Sequence, residues 1–238
     1  SAVMSVIAVL FFALSLRQLG FKHFLFASFA FAFTPVVFIS STYTIDYMLA
    51  MALMMGSLNF LLRRKFVIAG VLLGLSIGCR TTASVMLIPF CVLFSLTINP
   101  KRSEYSDLYA RIRGILILTL ITTLVGFLTY LPVIKTYGLS FITTYFTMAD
   151  RFHSPPMAKT FYKATIGVFG FIGMLSMIFF LFLVLFKRAI KHINEKKGKT
   201  LLIVSVVVII LYIFVFIRVP HKSAFLIPLV PFVILLFG

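Results

Sequence analysis

The chain has 238 residues, 62% hydrophobic and 11% charged, with a mean hydropathy of +1.15. Soluble domains carry charge on about a quarter of their residues, so this composition excludes that class and points to an integral membrane protein. The 22 Lys and Arg, against 5 Asp and Glu, lie almost wholly between long apolar runs. The net charge of +17 therefore marks the ends of spans and argues against a nucleic-acid surface. Ser1 and Gly238 both stand inside apolar runs, with no initiator Met or basic leader ahead of the first, so the sequence reads as a single transmembrane domain, 1–238, truncated at both ends. Cys79 and Cys91 show neither metal nor redox spacing.

Charge-free stretches predict spans at 1–16, 24–45, 47–62, 66–79, 81–100, 114–134, 164–186, 200–217 and 223–238. A helix needs about 20 residues to cross the hydrocarbon layer, and 24–45, 81–100, 114–134 and 164–186 meet that length outright. The runs 47–62 and 66–79 are shorter. They must borrow flanking residues, tilt little, or carry Asp46 and Arg80 at membrane depth. The runs are uniformly apolar, without the period of two that barrel strands show. The expected fold is all-α, a polytopic helical bundle of about eight to nine transmembrane helices.

Positive charge collects in cytoplasmic loops. Alternate loops hold fifteen and seven of the 22 cations, which places the fifteen in the cytoplasm and 40–46, the turn at Arg80, the loop 135–163 and Arg218–Lys222 outside. The loop 135–163 mixes aromatic side chains with Asp150, Arg151 and His153, as an extracytoplasmic segment at headgroup level would. A short interfacial helix is expected near 139–150, ended by Ser154-Pro155-Pro156. The loop 187–199 reads as a plain basic connector lying on anionic lipid. Gly70, Gly74 and Gly78 recur every four residues, a stripe that lets another helix approach closely, and Gly167, Gly170 and Gly173 are expected to serve similarly.

Asp46 lies eighteen residues before Arg64, and Arg80 lies sixteen after it, so an antiparallel hairpin returns both to nearly the same height. A lone ionised side chain in hydrocarbon costs about 2.5–3.5 kcal/mol on insertion scales, so such residues face a cavity or a partner. One reading is a carboxylate held beside a cation at a substrate cavity; the other is a pair that merely neutralises itself or snorkels to water. A second cluster is Asp150, Arg151 and His153, and a third is Arg218, His221 and Lys222, both on the same side. Cations dominate that side, which suits an anionic group such as a phosphate, although each cation singly also fits an interfacial anchor. No phosphate-binding Gly loop or Ser/His/Asp spacing occurs, and the four scattered histidines predict no built-in metal site.

The string FTPVVFISSTYTIDYMLAMALMM followed by LRRKFVIAGVLLGLSIGCRTTASVMLIPF resembles the polyprenyl-phosphate-dependent GT-C glycosyltransferases of the protein-mannosyltransferase and aminoarabinose-transferase-like branch. The positions that carry the likeness are Pro35, Asp46, Ala69-Gly70, Gly74-Leu75 and Arg80, and HKSAFLIPLVPF resembles a later span of the family through Pro228 and Pro231. About 60 residues are covered well. The resemblance implies a GT-C-like fold and inverting transfer of a sugar from a lipid-phosphate donor to a glycan, lipid or protein acceptor on the extracytoplasmic face. It implies that the main acidic residue lies in a loop ahead of Ser1. Asp46 would then be a supporting catalytic carboxylate that positions the acceptor or a divalent cation. By placement, Arg218, His221 and Lys222 are candidates for the donor phosphate and Asp150, Arg151 and His153 for the acceptor side, with Arg80 a further substrate-binding candidate. The protein would be multi-pass, in the plasma membrane of a prokaryote or the endoplasmic reticulum of a eukaryote, with membrane lipid as its surroundings.

Two other classes fit parts of the sequence. A transporter or flippase for an anionic lipid-linked substrate should show charges or broken helices in mid-span and a repeat between halves. Here the charges gather at one face and the halves show no repeat. A silent scaffold leaves the crowding of Asp, Arg and His on one side unexplained.

Overall fold

A chain surrounded by hydrocarbon must satisfy its backbone N–H and C=O groups internally, and every regular element among the described residues is helical. The computed structural model describes residues 1–43, 46–96, 104–138, 140, 157–185, 196–218 and 223–237. Helix α1 (Ala2–Leu19) is closed by Gly20 in the left-handed conformation, φ 85°. Helices α2 (Phe24–Phe33) and α3 (Pro35–Thr42) replace the single predicted span at 24–45, bent by 59° against each other. The cause is local: the residue before a proline is pushed out of the helical region, Thr34 adopts ψ 127°, and Pro35 begins the next helix in its first turn, where its missing N–H costs nothing.

Helices α4 (Tyr47–Leu62) and α5 (Phe66–Cys79) coincide with the two short predicted runs. At 1.5 Å per residue they are about 24 and 21 Å long, less than a full crossing. The next predicted span, 81–100, does not begin as an α-helix: Thr81–Met86 is a 3-10 helix, followed by α6 (Leu87–Leu96). Helix α7 (Glu104–Tyr137) extends the predicted 114–134 at both ends and contains Pro132. Helix α8 (Met157–Ala164) is regular structure where a loop is expected, while the predicted interfacial helix at 139–150 and Ser154-Pro155-Pro156 lie outside the described residues. Helix α9 (Ile166–Leu185) is interrupted at Gly170, φ 71° and ψ 178°. Helix α10 (Lys196–Arg218), a 3-10 helix Ser223–Leu229 and α11 (Val230–Phe237) complete the order.

By length and composition, three helical stretches among the described residues can cross a membrane: Ala2–Leu19, Tyr109–Tyr137 and Thr200–Ile217, or four if the bent α2–α3 pair counts as one. Helix α4 is different in kind. Twelve of its sixteen residues are buried, enclosed by α1, α5, α6 and the Ser223–Leu229 helix. It is an inner helix, so its run needs no polar face.

The hairpin's register is fixed by hydrogen bonds that hydrocarbon cannot compete for. Ser57 Oγ donates to the Ala69 carbonyl and Ser76 Oγ donates to the Ala50 carbonyl, each at 2.8 Å and buried. Both pairs are centred on residue 63, and Asp46–Arg80 shares that centre. The glycine stripe of α5 then meets α7 as expected. A Cβ on Gly70 would come to 3.0 Å from Ile121 Cβ, and one on Gly74 to 2.6 Å from Val125 Cβ and 3.0 Å from the Thr122 carbonyl oxygen. Gly170 does not follow that expectation, because its role is conformational: the backbone break at φ 71° lies against Pro35.

Overpacking a close helix contact costs about 1–3 kcal/mol, whereas Gly→Ala in open helix gains about 0.5–1 kcal/mol. Gly74→Ala is therefore expected to lower the thermal unfolding midpoint in detergent micelles by several degrees. Gly126→Ala on α7, whose Cβ would find its nearest neighbour at an ordinary 3.5 Å, is expected to leave it unchanged or raise it.

Candidate functional site

The register that centres the hairpin on residue 63 brings Asp46 and Arg80 together at one end of the bundle. Asp46 stands at the N-cap of α4 and its backbone carbonyl accepts from the Ala50 N–H at 3.0 Å. An Asp in that position usually turns its carboxylate back to cap the helix. Here it makes no such bond, and Oδ1 instead accepts from Arg80 Nη1 at 3.3 Å. The negative charge still lies at a helix N-terminus, where the helix dipole favours it.

Arg80 is the hinge between two helices. Its extended backbone (φ −150°, ψ 120°) ends α5 and starts the 3-10 helix, with its N–H donating to the Ser76 carbonyl and its carbonyl accepting from the Ala83 N–H, both at 2.9 Å. The guanidinium carbon lies 3.5 Å from the centroid of the Tyr47 ring and 5.0 Å from that of Phe225, and the two rings meet edge to face at 6.2 Å. A cation on an aromatic face in a desolvated place gains on the order of 2 kcal/mol, and a planar guanidinium stacks as an ammonium does not. The Arg80 side chain is 17% exposed and that of Asp46 46%. The aromatic faces hold Arg80 and leave the carboxylate turned toward the surface.

Two tyrosines fix the segment that carries Arg80. Tyr130 of α7 donates its hydroxyl to the Ile77 carbonyl at 2.9 Å, and the fully buried Tyr212 of α10 donates to the Thr82 carbonyl at 3.2 Å. Both acceptors flank the junction of α5 and the 3-10 helix. A narrow cleft opens beside the pair, lined among others by Tyr47, Met51, Arg80, Thr82, Phe225 and Pro228, with a cavity volume of about 10 Å³. That is room for about one water.

Of the residues singled out in the sequence, Asp46 and Arg80 are brought together. Arg218 is the last residue of α10, while its side chain and Asp150, Arg151, His153, His221 and Lys222 lie outside the described residues. The chain does return to the site just after Lys222, because Phe225 packs on Arg80 and Tyr47. Tyr47, Phe225, Tyr130 and Tyr212 are the residues sequence reasoning missed. The hydroxyls of Tyr130 and Tyr212 were a readable signal: each stands in a charge-free run, where a polar group needs a partner. Among the described residues the only carboxylate at this end that could meet the divalent cation implied by the resemblance is Asp46. Asp46 is bonded to a guanidinium, and no three His, Cys, Asp or Glu side chains come together among the described residues.

The opposite end is polar in a different way. With its amide turned oxygen-inward, Gln18 of α1 accepts from Arg63 Nε at 2.8 Å, Arg63 Nη2 at 3.2 Å and Asn59 Nδ2 at 3.0 Å. Asn59 also reaches Ser15 Oγ at 3.4 Å. Ser1 lies at the Asp46 end, donating to the Ser40 and Ser41 carbonyls at 3.1 and 2.9 Å. Compared with known protein families, with curated proteins and with solved structures, the chain matches none.

A half-exposed ion pair contributes about 0–1 kcal/mol, whereas the stacked guanidinium is the better-held partner. Asp46→Asn is accordingly expected to change unfolding stability in micelles by no more than about 1 kcal/mol. Arg80→Lys, which keeps the charge and loses the planar stacking, is expected to cost about 1–2 kcal/mol.

Proposed function

We propose that the chain is the membrane part of a glycosyltransferase that moves a sugar from a polyprenyl-phosphate donor to an acceptor hydroxyl at the extracytoplasmic face. The observation that carries this reading is the Asp46–Arg80 pair, set on aromatic faces at the end of an inner hairpin, in the segment whose sequence resembles GT-C glycosyltransferases. In this reading the shorter helices α4, α5 and α6 are spans as well, in a multi-pass bundle of about eight to nine crossings. The charge bias of the loops supports an outward-facing Asp46.

The chemistry follows from the charges. The acceptor oxygen attacks the anomeric carbon from the face opposite the donor phosphate, a C–O bond forms, and the sugar–phosphate bond breaks with its electron pair on the departing phosphate oxygen. Asp46, with Oδ2 left out of the ion pair, accepts a hydrogen bond from the acceptor hydroxyl as a supporting carboxylate. A further acidic residue, which the resemblance implies beside Asp46, takes the acceptor proton as the main base. Arg80, Arg218, His221 and Lys222 are assigned to the charge on the phosphate, and Asp150, Arg151 and His153 to the acceptor side.

One observation favours a second reading, a transporter or flippase for an anionic lipid-linked substrate. Two broken helices touch: the Thr34–Pro35 bend lies against the Gly170 break, where a Cβ would come to 3.1 Å from Pro35 Cγ. Discontinuous helices facing each other are a common transporter device.

The test is transfer of radiolabelled sugar from a panel of polyprenyl-phosphate donors in membranes carrying the protein, wild type beside Asp46→Asn. Misplacing the acceptor by about 1 Å can cost about 10²-fold, so transfer is expected to fall by about 10- to 10²-fold in the variant with membrane insertion unchanged. Transfer retained in Asp46→Asn would remove this residue from the site. No transfer from any donor, with movement of the same lipid across vesicles that Gly170→Ala blocks, would establish the transporter reading instead.

A further inference from the structure

We infer that the Arg63 end of the bundle holds an anionic phospholipid, its head group on Arg64 and an acyl chain lying over the small apolar cleft beside it; this rests only on the chain being a membrane protein and not on the sugar-transfer reading.

Helix α4 closes with a pair of bonds that fixes the backbone of Arg64: the Lys65 N–H donates to the Phe60 carbonyl and the Arg64 N–H to the Leu61 carbonyl, both at 2.9 Å. That closure puts Arg64 at φ 59°, the one non-glycine residue in the left-handed region among those described. Glycine is the residue that takes this position without a steric penalty. Charge at this turn does not require the exception, since Arg63 and Lys65 flank the position and both are exposed. A side chain kept at a strained position calls for a use of that side chain.

The cleft next to it shows what the use is. Leu61 and Leu62 of α4 and Leu93 and Phe94 of α6 line a cavity of about 30 Å³, with Arg64 as its single charged wall. A water there would need two to four polar partners, and four of the five lining side chains are apolar. A cavity of this size admits only a methylene or two, so the acyl chain lies over its mouth, and the cation suits a phosphate. Arg111 of α7 donates from Nη1 to the Ser95 carbonyl at 2.8 Å, one residue beyond Phe94, so a second guanidinium lies near the same rim. Asp107 precedes Arg111 by one helical turn, so the head group is assigned to Arg64 first. Basic pockets between helices at the cytoplasmic side are recurrent sites for anionic lipid head groups.

Native mass spectrometry of the purified protein in detergent, titrated with dioleoyl phosphatidylglycerol or dioleoyl phosphatidylcholine, tests the assignment. Wild type is expected to bind the anionic lipid at least about tenfold more tightly, a difference of about 1.4 kcal/mol. Arg64→Gly relieves the backbone strain, so its unfolding midpoint in lipid-free detergent should equal or exceed that of wild type. Its preference for phosphatidylglycerol should nevertheless disappear. Arg17→Gln, an exposed cation at the same end outside the cleft, should keep the preference, and glycerol phosphate, which lacks acyl chains, should give no bound species. An unchanged preference in Arg64→Gly, an equal loss in Arg17→Gln, or binding of glycerol phosphate would each overturn the site.

Discussion

Two serine hydroxyls set the register on which the rest of the structure depends. Ser57 and Ser76 point across the α4–α5 interface in opposite directions, each to a carbonyl on the other helix. In an apolar interior such bonds contribute only about 0.6–1.7 kcal/mol each. Their importance is geometric, because slipping the hairpin by one residue would break both and turn each hydroxyl into a buried orphan. With the register held, Asp46 must face Arg80, and the turn at residues 63–65 must lie at the other end. The same register turns Gly70 and Gly74 toward α7, where Thr122 Oγ1 adds a buried bond to the Gly70 carbonyl at 3.3 Å. Backbone-to-backbone approach, serine bonds and the ion pair are thus consequences of one alignment.

That alignment explains how a charge is tolerated at the end of a short helix. Arg80, at the end of the short helix α5, gains from two aromatic faces and a carboxylate. The carboxylate is the weaker partner, at 3.3 Å through a single oxygen and on the more exposed side chain. Aromatic holding keeps the guanidinium fixed while leaving Asp46 with an unused oxygen. A bidentate pair would have left neither carboxylate oxygen unpaired; here the ion pair engages one.

Much of this was legible in the sequence because membrane helices announce themselves by what they lack. Charge-free runs located α1, α4, α5, α7, α9 and α10, and counting from Arg64 placed Asp46 opposite Arg80. The bend at Thr34–Pro35 follows from a rule about the residue before proline, and the apolar continuity of 24–45 hid it. The break at Gly170 had no such marker, since Gly167 and Gly173 share its composition and neither breaks the helix. Phe225 was invisible as a site residue for a statistical reason: it is one of 29 phenylalanines, and nothing in its neighbours distinguishes a ring that receives a guanidinium from one that faces lipid. Tyr130 and Tyr212 were more readable. Each hydroxyl stood in a charge-free run, and each donates to a carbonyl near Arg80 in sequence.

The placement of the other cations changes how much weight the cation-rich end can carry. Arg80 caps α5, Lys135 sits in the last turn of α7, and Arg218 is the last residue of α10. At the opposite end Arg63 caps α4, and Arg111 donates to a carbonyl in the last turn of α6. Each therefore lies at a helix C-terminus, where the dipole and the unpaired carbonyls favour positive charge by about 0.3–1 kcal/mol. Antiparallel helices expose C-termini at both ends, so a cation at either end has a reason to be there without any ligand. What the dipole does not explain is a carboxylate that declines its own N-cap to meet a stacked guanidinium. Neither does it explain an arginine at φ 59° where glycine would relieve strain. These are two helix ends among the described residues whose side chain or backbone departs from the dipole-and-cap pattern.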